Sequence, residues 1–567
     1  MQRPLSILLI AVSLFLLFWR LDGSAIWRDE GTTAVWARLM AESGSLAPWV
    51  YDFDKQQLLV QAPDGHDVNS KLLPAMQSYL QFYVSALSFK LFGVNEWTAR
   101  GPFAALGLLT LFVFYRLGVL LWGQSAWALA PPFLAVTSFP FLHAARHCRY
   151  YILVILATTW LLLELGHYLR DPERARSRSF YLKLCAAGFL LYFSNYVSFV
   201  ATWGAIGLFI LYLRDWLFIR RFCLLSAGMA LVVLPEFFLL HSEFAGSWPP
   251  KAPQPLWDVY QRTFITRGEE FWRMTPWMLV FPVAFWVARK FSEVSRPALI
   301  AGLLGFTAIT LPPLIRESSL IEMPKPLFVL WALLCLAAPA AVALLWLRLK
   351  DRGVAVGLGM PALLILVLSP LITIGAGRDK ATTRHYYQIL PPVILLSSMA
   401  AVALGRHGRP AAGIVALAVI AGWSNLGTGF GGTDEVVPRQ FLNDRSYNGP
   451  LMDFFEENIK PGDRVAFHRN VKGMALYFYF PEIRWVGLLD STAPDNQKFR
   501  GRIPDDQFDD GADADWYVIW DPRGEKARGL DETAYEKVWE YSYANLRTGW
   551  NRNDDPFVRT YQVYRRR

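Results

Sequence analysis

Apolar stretches, each near the ~20 residues that cross about 30 Å of hydrocarbon as a helix, recur through residues 1–428 with few charges inside them. A soluble chain of 567 residues divides into domains with amphipathic helices; this one, 54% hydrophobic and 15% aromatic, reads instead as a polytopic α-helical membrane protein. Spans are expected near 4–20, 101–121, 125–142, 150–168, 181–195, 198–213, 222–240, 274–288, 298–315, 326–346, 354–375, 388–404 and 410–427. That makes about thirteen transmembrane helices. The first run, Leu5 to Phe18, leads into Trp19-Arg20-Leu21, a poor small-residue cleavage site, so it is expected to stay as a helix rather than leave as a signal peptide.

The formal net charge of +9 is not a nucleic-acid signal, because the excess sits in short loops such as Arg170 to Arg178, Arg220-Arg221, Arg289-Lys290 and Arg348 to Arg352. Loops of that kind mark the cytoplasmic side. The outer side then receives residues 21–100, 241–273, 376–387 and everything after 428. Residues 1–428 form the membrane domain, with 21–100 as a first extracytoplasmic loop carrying surface helices at Gly31 to Met40 and Leu80 to Phe92. Residues 429–567 change character. Short apolar runs at Val465 to His468, Trp485 to Leu489 and Trp516 to Trp520 read as buried strands, and Gly473 to Phe480 as a helix, of a C-terminal extracytoplasmic α/β domain. Cys148, Cys185, Cys223 and Cys335 all lie in or beside apolar segments and imply no disulfide framework.

Chemistry is sought where charge breaks these patterns. Trp27-Arg28-Asp29-Glu30 follows the first span directly, and acids beside a bilayer are costly unless paired, solvated or used. Asp29 and Glu30 suit a general base for an acceptor hydroxyl, or ligands for a Mg²⁺ or Mn²⁺ ion; Asp29 equally suits the N-terminus of the helix that follows. Two outer stretches are basic against the rule: Arg146-His-Cys-Arg149-Tyr-Tyr151, and Arg378-Asp-Lys380-Ala-Thr-Thr-Arg384-His-Tyr386-Tyr387. Guanidinium and ammonium groups at headgroup level suit the phosphate of a lipid-linked substrate, with interfacial snorkelling as the alternative.

The order of these pieces resembles the membrane-embedded GT-C glycosyltransferases, nearest the protein O-mannosyltransferase and aminoarabinose transferase branches. The resemblance rests on Ile26-Trp-Arg-Asp29-Glu30, Asn69-Ser-Lys71-Leu-Leu-Pro74, Leu91-Phe-Gly93 to Arg100, Tyr115-Arg116-Leu-Gly118, the Arg146 to Tyr151 stretch, and Arg384-His-Tyr-Tyr-Gln-Ile-Leu-Pro391-Pro392. It implies a GT-C-like fold and transfer of a sugar from a polyprenyl-phosphate donor to an extracytoplasmic acceptor, whether lipid A, protein or cell-wall glycan, by inverting displacement at the outer face of the inner membrane. Asp29 would be the base, and Glu30 its partner or metal contact. Lys71, Arg100, Arg146, Arg149, Arg378, Lys380, Arg384 and Tyr386 would bind the donor phosphate. A transporter or flippase for a lipid-linked glycan is the rival reading, and it would need charges lining a path through the bilayer.

Overall fold

The computed structural model describes residues 2–26, 28–43, 51–52, 57–58, 79–247, parts of 357–369, 387–407, 410, 413–414, 449–467, 478–480, 483–487, 514–521, 533–544 and 558–567. Among these, α1 (Gln2–Phe18), α2 (Arg28–Ser43), α3 (Leu80–Phe92), α4 (Glu96–Trp122), α5 (Ala130–Val136), α6 (Phe139–Ala145), α7 (Tyr151–Arg170), α8 (Arg178–Ser194), α9 (Tyr196–Leu213), α10 (Trp216–Ser247) and α11 (Leu390–His407) build one helical body. The strands β1 (Tyr51–Asp52) and β2 (Gln57–Leu58) form a small antiparallel pair in the first loop.

Helices α4, α7, α9 and the Trp216–Leu234 part of α10 are long and apolar enough to cross a membrane. The protein is a polytopic membrane protein. Helix α7 is central: 83% of its most apolar stretch is buried, against 17% for α10, whose Leu224, Leu231 and Val232 face outward as lipid-facing residues do. Its two ends differ as the charge pattern demands, with Tyr151 beside the Arg146–Arg149 stretch and Arg170 leading into Arg174, Arg176 and Arg178.

One expected span is not a straight helix. Residues 125–142 fold as a 3-10 turn, α5 and α6, with a bend of 69° between the first part and α6. Thr137 folds back, its hydroxyl donating to the Phe133 carbonyl, and Ser138 is extended. Pro140 then falls in the first turn of α6, where its missing N–H costs nothing, so the sequence stops one helix and starts another within three residues. The expected spans 274–288, 298–315 and 326–346 lie outside the described residues.

Helix α4 shows how a mid-helix proline is accommodated. Asn95 and Thr98 form a reciprocal capping box at its start. Pro102 cannot donate to the Thr98 carbonyl, and the Ser88 hydroxyl of α3 donates to that carbonyl instead, at 2.7 Å. The same substitution of partners ties α3 to α4. Further along, Gly118 brings α4 against the backbone of Ala128 so closely that a Cβ would overlap the Ala128 carbonyl.

The C-terminal residues form a five-stranded sheet of order β4-β3-β5-β7-β6, from β3 (Arg464–Phe467), β4 (Arg484–Gly487), β5 (Trp516–Asp521), β6 (Tyr535–Ala544) and β7 (Val558–Arg566). Strand β3 is parallel to β4 and β5, whereas β5, β7 and β6 run antiparallel. The parallel trio coincides with the three apolar runs expected as strands. Helix α12 (Gly449–Asn458) buries Leu451, Met452 and Phe455 against Val465, Val518 and Val563. Of the helix expected over 473–480, only 478–480 are among the described residues.

Candidate active site at the N-terminus of α2

Asp29 and Glu30 stand in the first turn of α2, where the unpaired N–H groups favour acids. Of Asp29 the backbone alone is described; it lies one turn before Thr33, on the same face of the helix. Glu30 is fully buried. Its Oε2 lies 2.6 Å from Arg100 Nη2, and its Oε1 accepts from Arg100 Nε at 3.0 Å and from the Cys148 amide at 3.1 Å.

Arg100, also fully buried, completes the arrangement by donating to the carbonyls of Leu21 (2.6 Å), Ser24 (2.7 Å) and Ala25 (3.0 Å). With the two bonds from Nε and Nη2 to Glu30, every N–H of the guanidinium fork is used. Arg100 is therefore not placed as the phosphate contact expected of it: it fastens the turn between α1 and α2 to α4. Glu30 is likewise committed to a cation, so it does not fit the metal contact or catalytic partner expected of it, because an arriving Mg²⁺ or Mn²⁺ would meet the guanidinium. Burial alone pushes the Glu30 carboxyl up, but Arg100 against it, with His147 and the Cys148 amide, brings it down to about 2. Among the described residues no group of three or more His, Cys, Asp or Glu is arranged to hold a metal ion.

The stretch after α6 reaches the same place. Arg146 donates through Nη1 to the Leu16 carbonyl (2.7 Å) and through Nη2 to Trp19 (2.7 Å) and Arg20 (3.3 Å), capping the C-terminal carbonyls of α1. Burial, with Arg100 nearby, pulls its guanidinium down to about 9. Arg149 donates to the Thr33 hydroxyl at 3.1 Å and lies over the Tyr150 and Tyr151 rings, 5.6 and 6.0 Å from their centroids. Gln81 of α3 accepts through one oxygen from both Thr33 and the Tyr150 amide, each at 3.2 Å.

Of the second basic stretch only Tyr387 is among the described residues, and it meets the first stretch through aromatic rings. Tyr387 stacks on Tyr151 at 4.6 Å between centroids, and its hydroxyl is hydrogen-bonded to His143 Nδ1. His143 in turn packs 4.0 Å from the His147 ring. Gln388 follows, accepting from Ser198 of α9 at 2.9 Å. Segments some 240 residues apart in sequence thus close on the α6–α7 connection.

Among the solved structures similar to this chain are two crystal structures of ArnT from Cupriavidus metallidurans. The one bound to undecaprenyl phosphate has 18% identity and TM-score 0.50, and the apo one 20% and 0.52; each match covers 99% of this chain and 98% of that chain. The chain shares its fold with these ArnT structures. No family model and no curated protein matches it.

Within this ArnT-like fold, α2, α3, the start of α4 and the α6–α7 connection converge on Glu30, Thr33, Gln81, Arg100, Arg146 and Arg149. Lys71, Arg378, Lys380, Arg384 and Tyr386 lie outside the described residues. Sequence reading did not single out Thr33, Gln81 or His143. A buried amide such as Gln81 carries no motif; it is one of several polar residues, with Ser85, Ser88 and Lys90, on the largely apolar Leu80 to Phe92 run.

Proposed function

We propose that the chain is an integral-membrane glycosyltransferase that moves a sugar from a polyprenyl-phosphate donor to a hydroxyl acceptor at the outer face of the inner membrane, with inversion at the anomeric carbon. The observation that carries this reading is the meeting of the Asp29 helix with Arg149, whose guanidinium lies over the Tyr151 ring on which Tyr387 stacks. Support also comes from the fold shared with ArnT, one of whose structures is bound to undecaprenyl phosphate.

In this reading Asp29 takes the proton of the acceptor hydroxyl as its oxygen bonds to the anomeric carbon. The bond from that carbon to the phosphate oxygen breaks, and the polyprenyl phosphate departs with one more negative charge. Arg149, with Lys71, Arg378, Lys380, Arg384 and Tyr386, meets that charge. Removing one such contact costs about 10²–10³ in rate. Arg146 helps by field, since an anion nearby offsets the cost of burying its guanidinium beside Arg100. Glu30 and Arg100 act one step back by holding α2 and the turn before it. No step is routed through a metal ion.

The proposed division places a membrane domain at 1–428 and an extracytoplasmic α/β domain at 429–567. The Arg170–Arg178 and Arg220–Arg221 ends would face the cytoplasm, opposite the site. The test is transfer of radiolabelled sugar from a panel of polyprenyl-phosphate donors to native membrane acceptors, comparing the unaltered protein with Asp29→Asn at matched folding. Transfer lost while donor binding persists fits the reading; no transfer from any donor, with lipid-glycan translocation in vesicles, replaces it with a flippase.

A further inference from the structure

Three successive residues join the C-terminal sheet to the first loop, and each goes to a different place. Phe478 is buried in the core of the helical body, 6.0 Å between centroids from Phe89 of α3. Phe480 is buried in the other core, under α12 and the sheet, beside Phe455. Tyr479 stands between and packs against both.

The Tyr479 hydroxyl is used twice. Its oxygen accepts the Ile26 N–H at 2.6 Å, and its proton is donated to Glu96 Oε1 at 3.2 Å, on the first turn of α4. Ile26 ends the turn whose Leu21, Ser24 and Ala25 carbonyls are held by Arg100. The turn is thus gripped from two sides: its carbonyls by α4 and its last amide by the C-terminal part. Arg38 of α2 adds a bond from Nη1 to the Phe478 carbonyl at 2.6 Å. Burial, with Glu96 opposite, keeps the Tyr479 hydroxyl protonated far above neutral pH, so it remains a donor.

We propose that Tyr479 is a positioning residue for the transfer reaction, fixing through Ile26 the turn that sets where α2, and with it Asp29, begins. The inference rests on the glycosyltransferase reading. The C-terminal part is then a structural member of the site rather than an appended module. A shift of the first turn of α2 would be felt as lost turnover, since displacement of a catalytic group by ~1 Å costs about 10²-fold.

The experiment compares the full chain with Tyr479→Phe and Asp29→Asn in lipid nanodiscs, by backbone hydrogen exchange and sugar transfer. Tyr479→Phe keeps the ring and both cores. Exchange over residues 20–30 should quicken about five-fold, as one hydrogen bond is lost, while residues 514–521 and 558–566 keep their protection. The kcat for transfer should fall about ten-fold with the donor KM unchanged. Asp29→Asn should abolish transfer and leave exchange as it was. Unchanged exchange over 20–30, faster exchange in the sheet as well, or unaltered kcat each overturns the proposal. If the unaltered protein transfers no sugar, the function reading falls, and with it the catalytic part of this proposal, while exchange still decides whether Tyr479 holds the turn.

Discussion

Arg100 Nη2 and Glu30 Oε2 lie 2.6 Å apart with both side chains shut off from solvent, one on the long apolar helix α4 and one on the first turn of α2. A buried charge whose partner is removed loses about 3–5 kcal/mol, because the other charge stays behind uncompensated. Glu30→Gln and Arg100→Met should each lower the thermal midpoint of the solubilised protein markedly. The double variant should cost less than the sum of the two, and strict additivity in that cycle would count against the pair.

The same pair sets an acid limit. Glu30 ordinarily titrates near 4.5 and is held at about 2 in the folded chain, so its contribution to stability is whole above pH 4.5 and is lost as pH falls toward 2. Melting followed from pH 6 to pH 3 should show a decline that Glu30→Gln flattens in that window, whatever the slope left by other carboxylates.

Thr33 and Gln81 present Arg149 to the site. Thr33→Val removes the hydroxyl that accepts from Nη1 and keeps the side chain's shape, so the guanidinium loses its anchor on α2. Affinity for a polyprenyl-phosphate donor should weaken by roughly three- to ten-fold, the size of one hydrogen bond, with thermal stability changed less than by Glu30→Gln. Binding measured by displacement of a labelled donor reads this out.

Gly118 and Gly204 make a matched contrast. A methyl at Gly118 meets the Ala128 backbone, which cannot step aside, so Gly118→Ala should destabilise by about 1–3 kcal/mol. At Gly204, inside α9, a methyl meets nothing within 4 Å. There the better helix propensity of alanine should leave the midpoint unchanged or raise it, by up to about 1 kcal/mol.

The sequence made the spanning helices legible because lipid demands long apolar runs, and Leu80 to Phe92 emerged with the very bounds that the structure gives α3. The parallel strands were legible for a related reason, each carrying a short unbroken apolar run. Strands β6 and β7 escaped notice because they mix charge with aromatics and, as in Tyr535-Glu-Lys-Val-Trp-Glu-Tyr with its irregularity between Lys537 and Trp539, do not alternate cleanly. At the site, the types of residue were legible and their partners were not. Nothing local to Arg100 says that three carbonyls from residues 21–25 will surround it, since backbone acceptors leave no trace in composition. Acid beside membrane was read as function for both Asp29 and Glu30, and for Glu30 burial against a guanidinium gives it a scaffolding task instead.

Ile26 and Tyr479 are 453 residues apart in the chain, and the core beneath Phe480 is not complete until β7 pairs with β5. During synthesis the membrane helices would therefore be inserted long before the turn between α1 and α2 can be locked. Maturation of the site becomes a late, post-insertion event. A lesion in β5 or β7, more than a hundred residues along the chain from any charged group of the proposed site, would then yield protein that is threaded through the bilayer but catalytically immature.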